Sequence, residues 1–340
     1  MTASSPYSPS SAQTGFTLIE LLVAMVIGVL VILGATQLFI ASQQSYRITT
    51  ALANMQDTGR FALETLSREL RQVDYKGGCA QSLLSVHVRS ANDAALAAPA
   101  LQVATGAQAQ GMAAVLESPL PDTQSIAFRA ATTLPPVTTT IETLASNQQL
   151  NLTGNVPYTG RLVLLQGLQN CDLFYNVSTQ PNRLIKAASG VPGNLSPQTS
   201  AWSKNGAVPY LQGQPVTLSA IDSGLYYLGR DAESAGAPSL MRLDIGTPTP
   251  RNEVLANNVV ALRTRVLVGE QYLAPEALTA AQWAQTRAMR VSLIVQSERT
   301  DLREAPTTIA TGNFRDAPFS ADDGRLYQAF TTTITLRNRP

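Results

Sequence analysis

Twenty consecutive residues, Phe16 to Ala35, read FTLIELLVAMVIGVLVILGA, and Glu20 is their sole charged side chain. At about 1.5 Å per residue such a run crosses a hydrocarbon core of roughly 30 Å, so a membrane-spanning helix is expected. The apolar character persists through Leu38, Phe39 and Ile40. A cleaved secretory signal would need a basic start, a shorter apolar stretch and a small-residue cleavage site after it. This segment lacks the first, exceeds the second and continues as helix where the third belongs. The residues before it, MTASSPYSPSSAQTG, carry no charge, and Pro6, Pro9 and Gly15 discourage helix, so they read as a flexible leader. Glu20 is the anomaly, because a carboxylate in an apolar helix is costly without a partner. Its place near the end of the segment also allows an interfacial side chain that reaches water.

Composition narrows the function classes. The chain has 340 residues, a formal net charge of +1 and 14% charged residues, against roughly 25% in an ordinary soluble domain. That length allows about two structural units. The near-neutral balance gives no electrostatic hold on nucleic acid, whose binding rests largely on phosphate neutralisation. His87 is the one histidine, so a site built on several imidazoles is excluded. No phosphate-binding Gly loop, zinc signature, nucleophile elbow or dinucleotide fingerprint is present in the sequence. No cofactor is expected, and an enzyme is the least favoured class.

The string Gly15-Phe16-Thr17-Leu18-Ile19-Glu20-Leu21-Leu22-Val23 resembles the N-terminal signature of type IV pilins and of type II secretion pseudopilins. The resemblance implies that a prepilin peptidase cuts after Gly15 and methylates the new amine of Phe16. It also implies a partner for Glu20, the N-terminal amine of a neighbouring subunit, which would offset the desolvation of the carboxylate. Further on, Tyr46-Arg47, Gly59-Arg60-Phe61-Ala62 and the ending Arg71, Tyr75, Gly77, Cys79 resemble the helix of the PilW family of minor pilins. The closing LYQAFTTTITLRNR, Leu326 to Arg339, is similar to that family's last strand. One departure is that the leader carries no Lys or Arg, Arg47 being the first basic residue, so the usual positive-inside bias is missing.

The helix is expected to continue to about Gln72, since Ile48, Leu52, Met55, Gly59, Ala62, Leu66, Leu70 and Val73 recur every three or four residues. Gly77-Gly78 then stops it. Beyond lie short alternating stretches, including 83–89, 125–130, 161–166, 172–178, 225–229, 240–245, 259–268, 288–296 and 326–337. Val260, Leu262, Thr264, Val266 and Val268 fall on one face of one, and Met289, Val291, Leu293 and Val295 on one face of the next. Half-buried antiparallel strands follow. Pro275 to Arg287 reads as a short helix anchored by Trp283. The fold class expected is α+β and pilin-like: a long N-terminal helix, half transmembrane and half amphipathic, packed on an antiparallel sheet domain. Its parts are a leader 1–15, a membrane or fibre-core helix 16–40, an amphipathic helix 41–76, and a β-rich domain 77–340 with insertions near 91–123 and 189–215.

In a domain exported to an oxidising compartment, as the resemblance implies, Cys79 and Cys171 are expected to be bridged, two buried thiols being the alternative. His87 reads as a structural histidine. Asp316, Asp322, Asp323 and Gly324 could gather oxygen ligands for calcium, but their order does not fit a calcium loop and an Asp-rich turn is favoured. The triplets at Asn151, Asn176 and Asn194 are read as chance matches to a glycosylation signal. The partners the resemblance implies are other minor pilins, the major pilin, the prepilin peptidase, the inner-membrane assembly platform and a tip adhesin. No nucleic acid is expected. The implied location is the bacterial inner membrane, with the sheet domain periplasmic, and then the fibre at the cell surface. A minor pseudopilin, a fibre-displayed adhesion or DNA-uptake receptor and a tethered periplasmic enzyme are the competing classes, in falling order.

Overall fold

Past position 50 the apolar side chains of the first helix cease to be continuous and settle on one stripe, which is what lets a sheet domain form against it. The computed structural model describes residues 17–75, 77–79, 83–88, 100–105, 116–132, 134–146, 148–186, 194, 202, 209–233, 236–247 and 249–339. The chain divides into two units, residues 1–50 and residues 51–340. Helix α1, Leu18–Leu70, has 53 residues. In the first unit its large apolar side chains, from Leu18 to Ile40, are exposed. In the second unit Met55, Gly59, Ala62, Leu63, Leu66 and Leu70 are buried, at the spacing the stripe predicts. Leu52, expected on that stripe, is exposed, so burial begins one turn later.

The helix ends at Leu70, earlier than the boundary at 76 expected from the sequence. Gln72 N–H donates to the carbonyl of Glu69 and Val73 N–H to that of Leu70, a tightening of the last turn that closes its free carbonyls. Asp74 then takes φ 65 and donates its N–H to Arg129. The left-handed residue comes before the glycines, and a bridge from Val73 to Ala130 carries the chain onto the sheet.

The strands in chain order are β1 (Leu84–Val86), β2 (Leu101–Thr105), β3 (Gln124–Ala131), β4 (Val137–Ser146), β5 (Gln149–Leu152), β6 (Arg161–Gln166), β7 (Cys171–Asn176), β8 (Arg183–Ile185), β9 (Pro215–Asp231), β10 (Ala237–Asp244) and β11 (Arg251–Asn257). They form one branched sheet of 11 strands among the described residues. The 17-residue β9 is its spine: residues 215–220 pair with β4 and β6, residues 221–231 with β3 and β10. A second sheet runs β13-β12-β14-β17, from β12 (Val259–Val268), β13 (Gln271–Leu273), β14 (Ala288–Gln296) and β17 (Tyr327–Thr335). Between β13 and β14 lie a single turn, Pro275–Ala277, and the short helix α2, Ala280–Ala284, with Trp283 buried. A ribbon joins β15 (Thr307–Ile309) to β16 (Phe319–Ala321).

Two details lie beyond the sequence reading. Stretch 91–123 contains β2, which pairs with β3; its five residues were too short to stand out from an alanine-rich surrounding. The strands are not all antiparallel: β1 pairs parallel with β7, Leu84 opposite Cys171. Stretch 189–215 lies mostly outside the described residues; within it Trp202 and Tyr210 are buried. The core on α1 joins Met55, Ala62, Leu66 and Leu70 to Phe128 and Tyr226 of the first sheet and to Leu262, Val266, Met289 and Ile334 of the second. A separate core gathers Tyr158, Phe174, Trp202 and Leu218.

Candidate functional site

The helix start is built by its own sequence. Thr17-Leu18-Ile19-Glu20 is a Thr-x-x-Glu capping box: the Thr17 N–H and hydroxyl donate to Glu20 Oε2 at 3.0 and 2.9 Å, and the Glu20 N–H donates to the Thr17 hydroxyl at 3.3 Å. The sequence reading missed this local partner although the four-residue signal was present. Gly15 and Phe16 lie outside the described residues. The described part of the apolar segment is long and apolar enough to cross a membrane.

Where α1 ends, an ion cluster around the buried Arg242 ties it to the first sheet. The Tyr226 hydroxyl and Arg242 Nε, the latter at 3.2 Å, both donate to the Glu69 carboxylate. Asp222, Asp244 and Glu253 stand 4.0, 4.0 and 3.7 Å from the same guanidinium, which also lies over the Phe128 ring. Burial opposes the charge of Arg242, but Glu69, Tyr226, Asp244 and Asp222 outweigh it and hold its pKa above the ordinary value. Burial raises the pKa of Asp222 although Arg242 acts against the rise. Glu69 sits off the apolar stripe and reads as a solvated helix residue in the sequence. The one signal for the cluster was Arg242, alone in the apolar run of β10.

Cys79 and Cys171 are joined, with Cα atoms 6.2 Å apart. Next to the bridge, Asp172 pairs with His87 Nε2, both buried. The Lys186 ammonium lies 3.5 Å from His87 Nδ1 and 4.3 Å from the centre of the Trp202 ring. Burial pushes the Lys186 pKa down to about 8, with Asp172 resisting the fall. His87 is therefore embedded in a closed polar cluster inside the fold.

The acidic residues near the C-terminus do not converge. Asp316 pairs with Arg265, Asp323 with Arg325 at 3.3 Å and with the Tyr327 hydroxyl at 2.8 Å, and Asp322 is exposed. Among the described residues no three His, Cys, Asp or Glu side chains form a group able to hold a metal ion.

Residues 225–338 match the family model of the type IV pilus-assembly protein W, and residues 10–36 match the prokaryotic N-terminal methylation motif. Together the two matches support a type IV pilus-related pilin. No curated protein and no solved structure matches it. In this chain the matched C-terminal region starts within β9 and runs through β17, so it supplies Tyr226, Arg242 and most of the strands whose apolar residues cover the helix stripe. Its N-terminal match covers the capping box and most of the exposed apolar segment. That motif and the apolar helix fit a membrane-anchored pilin, and the family implies contact with other pilus components.

Proposed function

We propose that this chain is a minor pilin, a structural and non-enzymatic subunit that helps to start a type IV pilus and resides in its tip or priming complex. The observation that carries the reading is the joint presence of the N-terminal methylation motif at residues 10–36 and the type IV pilus-assembly W region at residues 225–338. The second match favours the pilus over the secretion pseudopilus, whose N-terminal signature is the same. In this reading residues 1–15 are a leader removed after Gly15, Phe16 carries the methylated amine, and residues 16–40 anchor the subunit in the inner membrane and then in the fibre core. Residues 41–76 lead into the domain 77–340, which lies in the periplasm before assembly. The partners are other minor pilins, the major pilin, the prepilin peptidase, the assembly platform and a tip adhesin.

Glu20 has a particular part in this scheme. While the subunit is alone, the capping box with Thr17 satisfies one carboxylate oxygen. Packing into a fibre surrounds the group with apolar side chains, where the Phe16 amine of an adjacent subunit offsets its desolvation. Two variants test the proposal in a strain that makes pili. Gly15→Val should leave the precursor uncut and absent from sheared fibres. Glu20→Gln should be cut and inserted normally but enter fibres poorly, because it retains shape and hydrogen bonding while losing charge. Native chains in fibres that still carry residues 1–15 would refute the pilin reading, and full incorporation of Glu20→Gln would refute the ion pair.

A further inference from the structure

Among the described residues the last strand, β17, presents an edge without a partner strand. Within the second sheet β17 pairs with β14 alone, and among the described residues no strand lies on its other side. The direction of its backbone groups follows from the two hydrogen bonds that bracket it. Leu336 N–H donates to Arg287 at 2.9 Å, and the Leu326 carbonyl accepts from Ser297 N–H at 2.8 Å. In an antiparallel ladder such pairs alternate, so the even-numbered residues of β17 bond to β14. Tyr327, Ala329, Thr331, Thr333 and Thr335 therefore turn their N–H and C=O groups outward. Arg337, next in that outward series, donates its N–H to the carbonyl of Arg71 in the turn after α1. That contact closes the edge at its C-terminal end and leaves the preceding nine residues open.

Exposed edges are normally guarded by charge, proline, a bulge or shortness. The sequence YQAFTTTIT of β17 has no charged residue and no proline, and its pairing with β14 has no register shift. The other edges among the described strands differ. β1, β8 and β13 have three residues each and β2 has five, while β11 carries Arg251 and Glu253 and a register shift against β10. Alongside the open edge runs a groove of about 600 Å³ between β17 and α1. Arg60, Arg68, Arg71 and Arg337 line it, with Glu64 as the acidic counterpart and Thr331 from the strand. Four cations against one anion leave this groove strongly positive.

We propose that the outer edge of β17 pairs with an extended acidic segment of another polypeptide, which adds a strand to the second sheet. Main-chain hydrogen bonds to residues 327–335 supply the register, and alternate carboxylates of the incoming strand meet the arginines of α1. A second copy of this chain does not fit, because its β17 carries no acidic residue and would bring a second set of arginines into the same groove. The proposal stands on this edge and groove alone, so its failure leaves the reading of leader processing and Glu20 untouched, and the reverse also holds.

The test uses the full-length protein in detergent micelles and a labelled decapeptide alternating Glu and Val, with its Lys-for-Glu counterpart as control. The acidic peptide should bind about tenfold tighter than the basic one at low salt and weaken as salt rises. Thr333→Pro removes one outward N–H without touching the bonds to β14, and should weaken binding about tenfold with unfolding temperature little changed. The double variant Arg60→Gln, Arg68→Gln should lower affinity and flatten the salt dependence. Should Thr333→Pro fail to fold, amide exchange of the native protein decides: the acidic peptide should slow residues 327, 329, 331, 333 and 335 selectively. Equal binding of the basic peptide, undiminished binding by a folded Thr333→Pro, self-association through β17 in place of peptide binding, or no slowing of those amides would each overturn the proposal.

Discussion

Breaking the Cys79–Cys171 bridge should cost this fold more than removing most single side chains. The bridge joins positions 92 residues apart. In the chain-entropy account, a loop of that length restricts the unfolded chain by the equivalent of about 4.6 kcal/mol at 25 °C. Both cysteines are buried, with Leu84, Leu162, Leu173 and Tyr175 in the same cluster, so the pair also fastens the segment leaving α1 to the start of β7. The perturbation is Cys79→Ala with Cys171→Ala, and the same protein reduced in denaturant and held reduced forms a second arm. Trp202 and Trp283 are both buried, so tryptophan emission during urea unfolding in detergent reports the sheet domain. With a urea slope of roughly 3 kcal/mol per M, the upper end for small domains, the midpoint should fall by about 1.5 M. The early loss of amide protection should concentrate in residues 83–88, where the short parallel pairing of β1 depends on the bridge for its position. Coincident unfolding curves for the bridged and unbridged forms, or labelling of both thiols without reductant, would refute the reasoning.

Two more outcomes follow from the interior. A Cβ on Gly59 would overlap the Phe330 ring, so Gly59→Ala should destabilise by about 1–3 kcal/mol despite the better helix propensity of alanine; Phe330→Ala in the same chain should remove most of that added cost in a double-mutant cycle. Lys186 carries a pKa lowered to about 8 by burial, against 10.5 in the ordinary side chain. The unfolded chain therefore binds more protons than the folded one between those values, so stability should rise with pH from about 8 towards 10, before tyrosine ionisation intervenes. Lys186→Met should abolish that rise, and a pH series of urea midpoints showing the same slope in both proteins would exclude Lys186 as its source.

How much of this was legible in the sequence depends on the range of the forces involved. The helix stripe was readable because its spacing is local and the sheets that cover it demand nothing more than apolar surface; Met55, Ala62, Leu66 and Leu70 are buried as expected. The alternation of β12 and β14 was readable for the same reason. Val260 departs from its expected face because the pairing shifts between Val259 and Ala261, which places Val259 inside instead. Of β9, only 225–229 was apparent, since its first half mixes Thr and Ser with apolar residues and becomes a strand through β4 and β6 on either side. Strands β4, β5, β8 and β11 were missed because their polar residues carry little periodic signal. Beyond the lone Arg242 in the apolar run of β10, no pattern announced that Glu69, Tyr226 and Arg242 meet, across separations of 157 and 173 residues.

The division of labour within the fold gives a physical reason for where the family resemblance is concentrated. The second half of β9, with β10, β12, β14 and β17, supplies most of the residues that cover the helix stripe, and this is the region that matches the type IV pilus-assembly W family. A helix that must be gripped at Met55 to Leu70 constrains each residue it touches, including the Gly59 notch for Phe330 and the Glu69 seat for Tyr226 and Arg242. The strands between, β4 to β8 with the first half of β9, close a separate core around Trp202 and Phe174. That core is held from within by apolar packing, and it makes no demand on the helix stripe. Many sequences can fill such a core if volume and patterning are kept. On this physical account the intervening region is expected to tolerate more sequence change than the helix grip, and surfaces particular to this chain are expected there and on the open edge of β17.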